Sequence, residues 1–282
     1  MKDSLCILAF DHRKVLRDLF PGKDEKKYSE LKLLVLDALS EVAGQVPGRF
    51  GYLVDEEYGA EAAIETKKRG LLLSMPVEAS RTPEMILQYG DDFPAHIDKF
   101  KPDLVKTLIF HSSSDDSGRK ERQITLLKKI QEWCQVNNYD YLVEIIINQS
   151  EESTRSRISK EGLFPELKST ITELSDAGVN PAVWKIEGLD SEDHTKQIGE
   201  LKIFEQLNSQ LIVLGSGASL EAVQNWVGNA AKAPNYSGFA VGRSVWQVPI
   251  GKYLEGNVNA SQLITEVAGN FKMLVTAYEE NL

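Results

Sequence analysis

The chain is 282 residues long, 42% hydrophobic and 26% charged, with a formal net charge of -10 at pH 7. That length and composition exclude an intrinsically disordered chain and supply enough apolar material for one large core. The negative charge repels polyanions, and the short basic stretches KDEKK (23–27) and TKKRG (66–70) read as solvated helix surface, so neither nucleic acid nor an anionic membrane is expected as a partner.

Cys6 and Cys134 are the only cysteines, one in a strand-like run and one in a helical pattern, which implies no disulfide framework and fits a reducing compartment. The apolar run at the N-terminus is too short for a secretory core. No apolar run approaches the roughly 18 residues needed to span a bilayer, so a cytoplasmic protein is expected.

In chain order, runs rich in Val, Ile and Leu predict strands at LCILAF (5–10), GYLVD (51–55), LLLSMPV (71–77), LVKTLIF (104–110), YLVEIII (141–147), AVWKIEG (182–188), LIVLGSG (211–217) and GFAVGRS (238–244). Amphipathic segments such as YSELKLLVLDALSEVAGQV and ERQITLLKKIQEWCQVNN separate them, the pattern of parallel strands covered by helices. Eight βα units predict an α/β fold of the (β/α)8 TIM-barrel type, a single domain over residues 1–282. A doubly wound open sheet would want a glycine-rich phosphate loop after the first strand, and AFDHRKVL has no glycine. The polar stretch HSSSDDSGRKER (111–122) follows the fourth strand and reads as a loop, either an active-site loop or a plain connector.

Three successive strands carry a charge where both faces should be apolar: Lys106, Glu144 and Lys185. Each taken singly could belong to a structural ion pair. Three in neighbouring strands share one space if all point inward, and interior ion pairs are often no more stable than apolar replacements, so chemistry is the better account. The trio suits Schiff-base catalysis. A nucleophilic amine must be neutral, yet free lysine, with a pKa near 10.4, is uncharged only about once in 2,500 at pH 7. Lys185 is expected to be the nucleophile, Lys106 the neighbouring positive charge that lowers its pKa, and Glu144 the proton shuttle.

Further charges stand at predicted strand ends: Asp11, Asp55, Glu57, Glu78 and Glu187. Asp11, Asp55 and Glu187 are expected to bind sugar hydroxyls or hold the lysines, with a strand-end cap as the equal alternative for each. The last two strands run into GSGAS (215–219) and GRSVW (242–246), where barrels often bind phosphate through exposed backbone N–H groups and helix N-termini. Ser216, Gly217, Gly242 and Arg243 fit that role, although a Gly-Ser-Gly alone is most often a turn.

With these residues in place, the sequence resembles class I aldolases of the tagatose-1,6-bisphosphate aldolase type. FDHR stands at a family Asp-Gln-Arg, VDEEYG at Asp-Pro-Glu-Tyr-Gly, and VKTLIF, LVEII, WKIEG, GSGAS and GRSVW at the signatures of strands 4 to 8. The resemblance implies Lys185 as the Schiff-base lysine with Lys106 and Glu144 as partners, and Ser216 and Arg243 as phosphate contacts. Asp11, Arg13, Asp55 and Glu187 are the expected substrate-binding residues, and no cofactor is expected. A closer resemblance is to the domain fused to 5-dehydro-2-deoxygluconokinase in inositol catabolism, where LAFDHR is typical. It implies cleavage of 6-phospho-5-dehydro-2-deoxygluconate to dihydroxyacetone phosphate and malonate semialdehyde. His12 in place of glutamine and the short segment LDSEDHTK after strand 6 depart from the tagatose type.

Two other readings compete. A zinc-dependent lyase would need clustered histidines, and of His12, His96, His111 and His194 only His12 and His111 fall at predicted strand ends. A catalytically silent barrel that binds a sugar phosphate would keep the phosphate loops without needing the interior charges. The expected partner in either barrel reading is a small sugar phosphate, and a homo-oligomer is compatible with such a chain.

Overall fold

A computed structural model describes residues 4–80, 82, 84–147 and 159–282. Eight parallel strands close into a barrel in sequential order: β1 (Leu5–Phe10), β2 (Arg49–Val54), β3 (Leu72–Pro76), β4 (Leu104–His111), β5 (Asp140–Ile147), β6 (Val183–Glu187), β7 (Gln210–Leu214) and β8 (Tyr236–Val241). Each is a short β-branched or leucine-rich run. Together they form the (β/α)8 barrel that the sequence predicts.

Helices cover the outside, and their starts follow from capping side chains. Asp24, Asp55, Asp116, Ser191 and Ser219 each accept a backbone N–H three residues on, and Asn259 forms a capping box with Gln262. Asp116 corrects one expectation. The stretch 111–122 is not a loop throughout: His111 ends β4, and the helix Ser117–Val136 begins inside it.

Strand alternation divides the core in two. Outward side chains such as Trp184, Ile186, Val143 and Phe239 pack with the helices, whereas Leu5, Ile7, Ala9, Leu53, Leu104, Leu142, Val183, Ile212 and Ala240 fill the barrel interior. Closure at the β8–β1 seam requires Gly238, because a Cβ there would lie 2.0 Å from the Leu5 carbonyl oxygen. Two residues above Leu104, Leu142 and Val183, the same alternation brings Lys106, Glu144 and Lys185 to the inside of the barrel. Among the described residues no helix is long and apolar enough to cross a membrane.

Candidate active site

A cavity with about 1120 Å³ of empty space, counting its open mouth, lies at the C-terminal end of the strands. Among the described residues, four carboxylates (Asp11, Glu78, Glu144, Glu187) and four cations (Arg13, Lys106, Lys185, Arg243) line it, together with Ala9, Leu108 and Ala240. The opposite charges of these described residues balance in number, unlike the chain as a whole with its net -10.

Lys106 is the centre of the charge network. Its ammonium is 2.9 Å from Asp11 Oδ2, 2.7 Å from Glu78 Oε1 and 2.9 Å from Glu144 Oε2, so its three N–H donors face three carboxylates. The other oxygen of Glu144, Oε1, lies 3.0 Å from Lys185 Nζ. One carboxylate thus bridges two lysines, all three groups being at most 6% exposed.

The electrostatics follow from this packing. Burial alone would push Asp11 and Glu144 upward, but the attraction of Lys106 and Lys185, joined by His12 at Asp11, holds both carboxyls below their ordinary range. Burial likewise works against a charged Lys106, yet Asp11, Glu144 and Glu78 together raise it well above the usual lysine value. At Glu78 burial wins over Lys106 and Arg13, and its carboxyl is shifted up. The sequence casts Lys106 as the positive neighbour of Lys185, but the charge of Lys106 does not stand alone. It is matched by three carboxylates, and the group in direct contact with Lys185 is a proton acceptor, Glu144.

The residues at the front wall come from the turn after β1. Arg13 is buried and donates through Nη2 to the Glu78 carbonyl oxygen at 2.9 Å. His12 lines the same wall, and burial lowers its pKa to about 3, with Arg243, Lys32 and Lys185 acting in the same direction and Asp11 against them. It is neutral at pH 7 and able to offer one donor and one acceptor.

The opposite wall is made by the two loops expected to bind phosphate. Ser216 and Gly217 adopt left-handed conformations, with φ of 47° and 70°, and a Cβ on Gly217 would lie 2.5 Å from the Arg243 Cζ. Glycine at 217 therefore lets the guanidinium lie against the loop backbone. Arg243 opens the helix Arg243–Leu254, whose cap, Gly242, has no side chain to occupy the first N–H groups; a Cβ at Gly242 would come within 2.1 Å of the Ala9 carbonyl oxygen. The Ser216 hydroxyl donates to Glu187 Oε1 at 2.7 Å, and Glu187 Oε2 accepts the Ile147 N–H at 2.9 Å. Glu187 thereby ties the ends of β5 and β6 to the loop after β7.

Asp55 is not brought to this cavity, which corrects the expectation that it faces a substrate. As the first residue past β2 it turns away from the barrel axis, caps the helix Glu56–Lys68 through Tyr58 N and pairs with buried Lys32. Glu57 also lies outside, against Arg17. The histidines are dispersed: His96 meets Glu56, His111 meets Glu173, His194 stacks on Phe164, and only His12 lines the cavity.

Two residues escape a strand-by-strand reading. Glu78 stands two residues past β3 and was visible only as a strand-end acid, although continuing the inward parity of Ser74 would have pointed it into the barrel. Lys32 was hidden in a helix, where its signal was a single charge within the apolar stripe Tyr28, Leu31, Val35, Leu36, Leu39.

Fold and side chains together define a (β/α)8-barrel protein with a lysine–carboxylate network at the C-terminal mouth, the position where barrel enzymes carry their active sites. The chain belongs to the family described as "Uncharacterized protein conserved in bacteria (DUF2090)", whose model matches residues 1–282. No curated protein matches the sequence.

Solved structures with the same fold include fructose-bisphosphate aldolase from Plasmodium falciparum in complex with TRAP and a small-molecule inhibitor, at 14% identity and a TM-score of 0.67, covering 96% of this chain and 89% of that one. A Schiff base-forming fructose-1,6-bisphosphate aldolase is similar at 15% identity and a TM-score of 0.60, covering 96% of this chain and 94% of that one. Cgl0159 from Corynebacterium glutamicum follows at 14% identity and a TM-score of 0.57, with 95% and 85% covered. At these identities the likeness is one of fold.

Proposed function

We propose that this protein is a class I aldolase, a lyase that cleaves a ketose phosphate through a Schiff base on Lys185. The observation that carries the reading is the carboxylate of Glu144 held between Lys106 and Lys185 in the lining of an open cavity. A buried pair of lysines is costly to desolvate, and its place at the open end of the barrel gives that cost a use. The fold shared with aldolases, one of them Schiff base-forming, supports the same reading.

In this mechanism the neutral amine of Lys185 adds to the ketone carbon of the substrate. Glu144, at 3.0 Å, takes a proton from the amine and returns one to the departing hydroxyl, which leaves as water to give the iminium ion. The iminium takes up the electron pair of the C–C bond between its α and β carbons as that bond breaks. An enamine remains on Lys185, and an aldehyde departs as its hydroxyl proton passes to a neighbouring carboxylate, Asp11 or Glu144. Protonation of the enamine and addition of water regenerate the amine and release the ketone product. Lys106 stays charged throughout and orients Asp11 and Glu144. The phosphate of the substrate sits against Arg243, Gly217 and Gly242, with Ser216 and Glu187 shaping the loop, and Arg13 and His12 face the part that leaves as aldehyde.

The favoured substrate is 6-phospho-5-dehydro-2-deoxygluconate, which yields dihydroxyacetone phosphate and malonate semialdehyde; tagatose or fructose bisphosphate is the alternative within the same chemistry. The test is to treat the protein with dihydroxyacetone phosphate and borohydride and measure its mass. An irreversible adduct that maps to Lys185 is expected. Absence of an adduct with any ketose phosphate, alongside measurable binding, would leave a sugar-phosphate-binding barrel instead.

A further inference from the structure

Lys32 is a buried cation that this chemistry does not use. It rises from the helix Glu25–Ala43, its side chain is fully buried, and it does not line the cavity. Its ammonium donates to Asp55 Oδ2 and to the Phe10 carbonyl oxygen, and reaches the His12 carbonyl oxygen at 3.4 Å. It also lies 4.5 Å from the centre of the Phe10 ring.

Those two carbonyls flank Asp11. The ladder of β1 ends at the Phe10–Val54 pair on one side and at Leu8–Val241 on the other, so the carbonyl groups beyond need other donors. Trp246 Nε1 supplies one to Ala9 at 3.0 Å, and Lys32 supplies those to Phe10 and His12. The backbone on either side of Asp11 is thereby fixed from behind the strand, while the Asp11 side chain projects into the cavity and meets Lys106.

Stability alone is a poor account of Lys32. A buried ion pair is often no more stable than an apolar pair, and Asp55 caps its helix through Oδ1, which needs no cation. We propose that Lys32 is a positioning residue: it holds the turn 10–13 so that Asp11 is presented to Lys106 and the cavity. Its kinetic consequence rests on the proposed aldolase function, whereas its structural consequence does not.

The experiment compares Asp55→Asn with the double variant Lys32→Met/Asp55→Asn. Asparagine keeps the helix cap, and methionine keeps the buried stem without leaving an unpaired charge. Thermal melting establishes that each is folded; if the double variant is not, Lys32→Leu/Asp55→Asn, which also removes the donor to the carbonyls, takes its place. The carboxyl carbon of Asp11 is then followed by NMR against pH, and turnover and trapping are measured with a ketose phosphate.

Asp55→Asn should lower the melting temperature, because Lys32 loses its carboxylate, but Lys32 keeps its two carbonyl acceptors, so Asp11 should stay ionised as in the parent down to the lowest pH at which the variant is folded. In the folded double variant Asp11 should protonate in the ordinary carboxylate region, about pH 3 to 5. Its kcat should fall by about 10- to 100-fold with little change in KM, the effect of a displaced catalytic group. An Asp11 that stays ionised as in the parent, with kcat unchanged, overturns the proposal. If the parent traps no ketose phosphate, the aldolase reading falls, and the Asp11 titration still decides the role of Lys32.

Discussion

Glu144 and Lys185 are register partners on adjacent strands, and their side chains meet inside the barrel with Oε1 and Nζ 3.0 Å apart. A carboxylate this close serves the amine as both proton acceptor and anchor. Replacing Glu144 by glutamine keeps the shape and removes the acceptor. Turnover should fall by about 10²- to 10⁴-fold, the usual contribution of a positioned acid–base group, while borohydride still traps substrate on Lys185. Wild-type turnover in Glu144→Gln would remove Glu144 from the mechanism.

Lys185→Ala should lose both turnover and trapping. Lys185→Arg should do the same, because guanidinium stays protonated and supplies no neutral amine. Intact mass after borohydride treatment checks both variants, and an adduct that peptide mapping of the parent or a variant places on a lysine other than Lys185 would redirect the assignment.

Lys106 gives a stability prediction with a definite pH dependence. Asp11 and Glu144 have carboxyls lowered in the folded protein, so their contribution is complete above about pH 4 and is lost as pH falls through the folded-state values. Lys106 is raised, so its contribution is complete below about pH 10 and is lost as pH rises through its folded-state value. Glu78, raised by burial, acts oppositely to the other two carboxyls and offsets part of their gain near neutrality. Lys106→Met leaves the buried carboxylates of Glu78 and Glu144, and the partly buried one of Asp11, without their common cation and should cost about 3–5 kcal/mol at pH 7. Because protonation relieves that repulsion, calorimetry should find a smaller deficit near pH 4 than at pH 7, and equal deficits would contradict the network.

At the opposite wall, Arg243→Ala should weaken binding of the phosphate by about 1.5–3 kcal/mol, the value of a hydrogen bond to a charged group, and inorganic sulfate should compete with substrate. Gly217→Ala should act in the same direction without touching a charge, since the new Cβ would lie 2.5 Å from the Arg243 Cζ and the residue has φ of 70°. Titration calorimetry with substrate or sulfate reads both effects. Unchanged affinity in Arg243→Ala would move the phosphate elsewhere.

The sequence by itself determined the barrel and the strands of the lysine–carboxylate trio. Eight apolar runs with amphipathic segments between them leave few other ways to bury both strand faces, and a period of two residues assigns Lys106, Glu144 and Lys185 to one side of their strands. In the stretch 111–122 composition shows polarity but not the Asp116 cap that starts a helix within it. Tertiary structure alone decided the partners. Asp11, Glu78 and Glu144 converge on Lys106 from strands that are 28 to 95 residues apart in sequence, and which ends of those carboxylates meet it depends on barrel closure and side-chain reach. Asp55 carries the inward parity of β2 yet serves a helix cap and Lys32, because the chain turns at the strand end and a local N–H and a buried ammonium lie closer than the cavity. Periodicity ends where the strand does, and past that point the hydrogen-bonding needs of the backbone and of buried charges choose the direction.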